Sequence, residues 1–310
     1  MDASGKNASG VDASGVDASG MNALPWRLVT YRSADGLKLV ARDYGPEQAS
    51  APPVLCLAGL TRNAKDFHAL ALVLAESGRR VIVPDYRGRG RSDYGDWRLY
   101  TPQVELQDTI QLLTLLRIGV VDLVGTSRGG IIAMLAAAAS PGLIRRCVLN
   151  DIGPVIEAQG LLRIKSYVGR QPAQDWSTAI ADLARAHPEI SGFGPADWAA
   201  FAERIYRDQG GYPVLDYDPA LAHALPDESL LKAAVSGVVP LPTLWAPFKL
   251  LAARPVLVLR GEHSDLLSPL TLRRMTARRP TVQSLTIPGR GHAPFLDEPA
   301  ALAAVSAFLS

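Results

Sequence analysis

Short runs rich in Val, Leu and Ile alternate with stretches of helical spacing through most of the chain. No other feature limits the fold as strongly. PPVLCLAG (52–59), RRVIVPDYRG (79–88), VVDLVG (120–125), IRRCVLND (144–151), PVLVLRGE (255–262) and VQSLTIPG (282–289) have the length and content of core strands. Between them, Asn63 to Glu76 places Phe67, Leu70 and Leu74 on one helical face, and Thr101-Pro102 opens a helix that ends near Gly119. An alanine-rich helix is predicted over Arg128–Ala139, another starts at Ser268-Pro269, and a last one closes the chain. Apolar strands separated by helices imply an α/β fold whose central sheet is mostly parallel and covered by helices on both faces. Ahead of it, WRLVTYR and LKLVARDYG flank the turn Ser33-Ala34-Asp35-Gly36 and read as an antiparallel hairpin.

The alternation fails in one place. From 153 to 250 the pattern gives helices and loops, with Trp176, Trp198, Trp245 and several tyrosines, but no core strand. A mainly helical lid inserted into a core made of 21–152 and 251–310 is the reading, and an independent helical domain is its rival. Residues 1–20 repeat DASG and NASG with a period of five and have almost nothing to bury, so they read as a flexible leader, with Met21 a plausible start.

A net charge of +2 over 310 residues is too small and too dispersed for a typical nucleic-acid binder. No apolar stretch reaches the ~20 residues a membrane span needs, and the N-terminus lacks the charged start and apolar core of a signal peptide. A cytoplasmic protein is expected. Cys56 and Cys147 each fall inside a strand and read as buried thiols, and no disulfide framework or metal-ligand spacing is present.

The chemistry enters at Gly125-Thr126-Ser127-Arg128-Gly129. A G-x-S-x-G pentapeptide carries little weight alone, but this one joins VVDLVG to the helix GGIIAMLAAAA. A sharp strand-to-helix turn lifts its central residue above the sheet and requires small neighbours, which Gly125, Gly129 and Gly130 supply. The helix start offers free N–H groups to a developing oxyanion, with the Arg128 N–H one donor. The Leu60 N–H, in the loop after PPVLCLAG, is the second. The sequence leaves open whether the Arg128 side chain meets an acid or solvent.

Serine needs a base. Of five histidines, His68 falls in the first main helix, His187 and His223 in the insertion and His263 after a strand. Only His292 lies C-terminal to the serine in a glycine-lined loop after the last strand. Two acids preserve the order serine, acid, histidine: Asp151, after IRRCVLN, and Asp265, after PVLVLRGE. Asp265 is preferred, because its strand immediately precedes that of the histidine. Asp151 has an alternative role in capping the turn into Gly153-Pro154.

LAGLTRNAKDF, VIVPDYRGRGRSD, LVGTSRGG, VLNDIGP, LRGEHSDLLS and IPGRGHAPFLDEP together resemble the α/β-hydrolase superfamily over nearly the whole chain from Trp26. They look most like its capped esterase, lactonase and C–C hydrolase branches. The resemblance implies a carboxylic ester hydrolase that works through an acyl-enzyme, with lactonase, C–C hydrolase, acyltransferase and low-turnover ligand-binding protein as the alternatives. Ser127 stands where haloalkane dehalogenases and epoxide hydrolases have Asp, and Arg128 where many C–C hydrolases have Met. Ala58-Gly59 replaces a frequent His-Gly. Arg87, Arg89 and Arg91 fall in a recurring turn of this fold rather than in a phosphate-binding patch. No cofactor or metal is implied. The expected partner is a small-molecule substrate, with neither nucleic acid nor membrane, and a homodimer is compatible with the sequence.

Overall fold

The computed structural model describes residues 25–310, so the repeats of 1–20 and Met21 lie outside the described residues. The chain opens with β1 (Trp26–Arg32), β2 (Lys38–Tyr44), β3 (Val54–Leu57), α1 (His68–Glu76), β4 (Val81–Asp85) and α2 (Pro102–Leu115). Next come β5 (Val121–Thr126), α3 (Arg128–Ala139) and β6 (Ile144–Asn150). An insertion follows, with α4 (Ala158–Tyr167), α5 (Trp176–Ala186), α6 (Pro195–Ile205), β7 (Tyr206–Gln209), β8 (Tyr212–Leu215) and α7 (Glu228–Val235). The remainder is α8 (Trp245–Leu251), β9 (Val256–Gly261), α9 (Pro269–Thr276), β10 (Val282–Ile287) and α10 (Pro299–Leu309).

The central sheet has eight strands in the order β1-β2-β4-β3-β5-β6-β9-β10. β1 and β2 pair antiparallel, as does β2 with β4, and all pairs from β4 to β10 are parallel. Every residue of β3, β4 and β9 is buried, whereas only the first and last residues of the terminal strand β10 are. Right-handed crossovers put α1 on one face and α2 and α3 on the other, because the chain moves one way along the sheet from β3 to β4 and the other way from β4 to β5 and from β5 to β6. Accordingly α2, α3 and α8 pack together and α1 packs with α10. The α/β class with a mostly parallel sheet expected from the sequence is the fold observed.

Local chemistry sets the helix starts. Thr101 Oγ1 accepts from Val104 N (3.3 Å) and Ser268 Oγ from Thr271 N (3.3 Å), each with proline at the first helical position. The hairpin turn forms as expected, with Gly36 at φ +91° and its N–H bonded to Ser33 O at 2.9 Å. Cys56 and Cys147 are free, and burial pushes both thiols well up from their ordinary range.

The insertion departs from the sequence reading in two respects. It contains a hairpin, β7–β8, turned by Gly210 and Gly211, both at positive φ. The Gly-Gly pair is a hairpin signal, but the strands are only four residues long and β7 is nearly all exposed, so no apolar alternation marks them. In addition, α8, all but its last residue within 153–250, packs on α3, with Phe248 and Leu251 fully buried in the main core. Ile164, Val168, Leu215, Tyr217 and Leu221 of the insertion also join the main core, while Leu183, Phe201 and Ala202 form a small cluster of their own that Phe295 of the following core segment joins.

Candidate active site

Parallel strands β5, β6, β9 and β10 deliver their carboxyl ends to one edge of the sheet, where the site is assembled. Ser127 sits between β5 and α3 at φ +50° and ψ −108°, a strained conformation that the surroundings hold in place. Space there is exhausted. A Cβ on Gly125 would lie 2.6 Å from the Gly129 carbonyl carbon, and one on Gly129 would lie 2.1 Å from Leu57 O. One on Gly130 would reach 2.2 Å from Ile152. The three glycines let strand and helix approach closely enough to raise the serine into the cavity.

His292, in the loop after β10, places Nε2 2.9 Å from Ser127 Oγ. Its Nδ1 is 2.7 Å from Asp151 Oδ2. A carboxylate at Nδ1 favours the tautomer protonated there, leaving Nε2 free to accept the serine proton. Asp151 is fully buried at the end of β6 at φ +54°. It is fixed by Gly261 N donating to Oδ1 (2.8 Å) and Ser264 Oγ donating to Oδ2 (2.6 Å). Both donors come from the end of β9 and the loop beyond it.

This arrangement corrects the preference for Asp265. Asp265 makes no hydrogen bond or ion pair with His292. It forms a two-point pair with Arg163 of α4, with Arg163 Nε to Oδ2 at 2.6 Å and Nη2 to Oδ1 at 3.0 Å. Burial pushes its carboxyl up, but the Arg163 hydrogen bond and charge, helped by the charge of His292, hold it below the ordinary carboxylate range. The order of residues along the chain fits either aspartate, so it could not separate them. A possible sequence signal was Asn150-Asp151 at a strand end, since Asn and Asp tolerate positive φ better than most residues.

Leu60 and Ser127 line one cavity, and Gly59 brings the β3 loop close, since a Cβ there would lie 3.9 Å from Ser127 Cβ. The N–H groups of Leu60 and Arg128 donate to no backbone acceptor among the described residues. The Arg128 side chain turns inward to Glu105 (3.4 Å), which settles the alternative left open by the sequence. Glu105, fully buried, also lies 2.8 Å from Arg89, although not aligned for a linear hydrogen bond. Arg89 in turn donates to Leu60 O at 2.8 Å. One buried chain of charges therefore joins the two residues whose N–H groups are the oxyanion donors expected from the sequence. Arg87 and Arg89 are buried and paired with carboxylates, which removes them from any surface patch.

The cavity holds about 400 Å³ and lies between the sheet edge and the insertion. Ile164, Leu183, Phe201, Tyr206 and Tyr217 form much of its apolar wall. Arg62 and Arg170 reach it, as do Asp66, Asp182 and Glu189. Burial pushes Glu189 up, but its hydrogen bond to His187 (2.9 Å) and the charges of His187 and Arg163 bring it below its ordinary range. The other histidines lie elsewhere or act otherwise: His68 bonds Tyr44 (3.1 Å), His223 stacks on Trp97, and His263 is half exposed beside Glu262. Among the described residues no cluster of metal-ligating side chains is present, and no helix is long and apolar enough to cross a membrane.

Residues 54–305 match the family model of the Alpha/beta hydrolase family. The chain is 34% identical over 286 residues to the 3-hydroxybutyrate-oligomer hydrolase of Cupriavidus necator, covering 90% of this chain and 95% of that protein. It is 31% identical to the 2-(acetamidomethylene)succinate hydrolase of Mesorhizobium japonicum, over 79% of this chain and 83% of that one. The crystal structure of an alpha/beta hydrolase from Novosphingobium aromaticivorans superposes with a TM-score of 0.83 at 41% identity, covering 92% of this chain and 98% of the other.

Proposed function

This chain belongs to the alpha/beta hydrolase family, and we propose that it is a serine carboxylic ester hydrolase acting on short linear oligoesters of 3-hydroxybutyrate type. The observation that carries the chemistry is the contiguous set Asp151–His292–Ser127, with contacts of 2.7 and 2.9 Å. Ser127 Oγ attacks the ester carbonyl carbon as His292 Nε2 takes its proton. The carbonyl oxygen gains the negative charge and meets the N–H groups of Leu60 and Arg128, each such donor being worth about 3–4 kcal/mol in the transition state. Collapse breaks the C–O bond to the leaving alcohol, which receives the proton from His292. Water then attacks the acyl-enzyme, giving its proton to His292; collapse breaks the acyl C–Oγ bond, His292 returns the proton to Ser127, and the acid leaves. Asp151 holds the imidazole in the working tautomer and stabilises its charge. The insertion serves as a lid over this chemistry, and a cytoplasmic location suits the two unbridged thiols.

The substrate class rests on the Cupriavidus relative, with which the chain aligns nearly end to end. The charges of the cavity favour this class over the 2-(acetamidomethylene)succinate in the name of the Mesorhizobium relative. Asp66, Asp182 and Glu189 outnumber Arg62 and Arg170, a balance that disfavours a doubly charged ligand more than a linear oligoester with its single terminal carboxylate.

The test is hydrolysis of 3-hydroxybutyrate dimer and trimer, alongside a p-nitrophenyl ester series, by wild type and Ser127→Ala. Cleavage of the oligomers, lost by about 10³-fold or more in the folded variant, is the expected result. Wild type that hydrolyses p-nitrophenyl esters but leaves the oligomers intact would remove the substrate class and keep the esterase. Activity surviving in Ser127→Ala would remove the mechanism.

A further inference from the structure

The catalytic cavity is closed on one side by a wall a single aromatic pair thick. Phe201 of α6 and Phe295, just past the His292 loop, line this cavity and also line a second one of about 610 Å³. Their rings meet edge to face, with centroids 4.8 Å apart at 84°. Arg62 lies over Phe201 at 5.1 Å and lines the catalytic cavity. Arg204 and Arg290 each lie over Phe295 at 5.8 Å and line the second one. Guanidinium groups thus brace the pair from both sides.

The second cavity follows the seam between α6 and the segment that leads into α10. Phe193, Ile287, Pro288 and Ala200 give it an apolar floor. Its charged groups are Asp197, Asp297 and Glu298 against Arg204 and Arg290, and both arginines are already paired, Arg204 with Asp297 and Arg290 with Glu298. A carboxylate entering there would meet an excess of negative charge and no free cation among the lining residues. An uncharged chain would meet apolar surface.

We infer that this groove is the distal part of the acyl-chain site, and that Phe201 and Phe295 set the chain length the enzyme accepts. Only where this pair parts does an uncharged acyl chain longer than the catalytic cavity can hold reach the groove. The chemistry of the occupant rests on the ester reading above, but its binding can be measured without turnover. Linear alkylboronic acids, butyl to dodecyl, add reversibly to an active serine and mimic the acyl side, and their affinities are read by calorimetry. Phe295→Ala should improve dodecyl over butyl binding by about tenfold or more, the equivalent of burying roughly two further methylenes. Ala200→Trp, at an exposed position on the groove, should abolish that gain in the double variant.

A gain that survives Ala200→Trp would put the extra room inside the catalytic cavity and overturn the proposal, as would no gain in Phe295→Ala. If Phe295→Ala does not fold, Phe295→Leu carries the same test, with the same gain required. A p-nitrophenyl series from acetate to dodecanoate run in parallel separates the two readings. A chain-length shift in binding without turnover of any ester sinks the esterase and keeps the groove. Ester turnover without a chain-length shift does the reverse.

Discussion

The loops after β6 and β9 leave neighbouring strands at the same edge of the sheet, and each carries one aspartate near His292. Their environments differ in what surrounds the carboxylate. Asp151 is buried among core donors, Gly261 N, Ser264 Oγ and His292 Nδ1, all from the sheet edge itself. Asp265 is partly exposed, and its partner Arg163 comes from the insertion. Gly160 brings α4 so close that a Cβ there would fall 2.7 Å from Asp265 O. The first carboxylate is placed to tune an imidazole, and the second ties the insertion to the core. Distance along the chain from the histidine did not distinguish these roles, whereas the donors around each carboxylate do.

The strongest way to break this comparison is Asp151→Asn. With the tautomer no longer enforced, kcat on p-nitrophenyl butyrate should fall by about 10⁴-fold while circular dichroism shows a retained fold. A fall of less than about tenfold would mean that another acid does the work. Glu105→Gln sharpens the contrast between buried and exposed charge. It leaves Arg89 and Arg128 inside the protein without their counter-charge, and urea denaturation should show a loss of about 3–5 kcal/mol. A loss under about 1 kcal/mol would show that the network joining Leu60 and Arg128 is dispensable.

Asp265→Asn should change kcat by no more than about threefold and lower stability by about 1 kcal/mol or less, as for a partly exposed ion pair. A loss of kcat near that of Asp151→Asn would reverse the assignment. The smallest effect is one of pH. The carboxyl of Asp265 is held below its unfolded value, so its contribution to stability is full above about pH 4. That contribution disappears as pH falls through the depressed value. The stability gap between wild type and Arg163→Gln should therefore be present at pH 7 and narrow as pH falls below about 4, as read by thermal melts. A gap that widened on acidification would mean that Arg163 acts through some other contact.

Strands, main helices, Ser127 and His292 were legible because each depends on neighbours in sequence: apolar runs, N-caps with proline, glycines around a turn. The insertion was less so. The β7–β8 strands bury too little to mark themselves, and α8 looked like part of the insertion because helical spacing does not reveal which surface the helix covers. The Arg128 side chain was undecided for the same reason, since its partner Glu105 lies one strand and one helix away in the chain.

By itself the sequence determined the α/β alternation, the strained serine turn and the histidine loop, because steric demands and apolar periodicity are local and survive without a partner. Only the tertiary structure decided between Asp151 and Asp265, joined Arg89, Glu105 and Arg128, and set Phe201 against Phe295. These depend on side chains far apart in the chain meeting in a buried space, where the final few ångströms of approach decide which charge is paired and which ring becomes a wall.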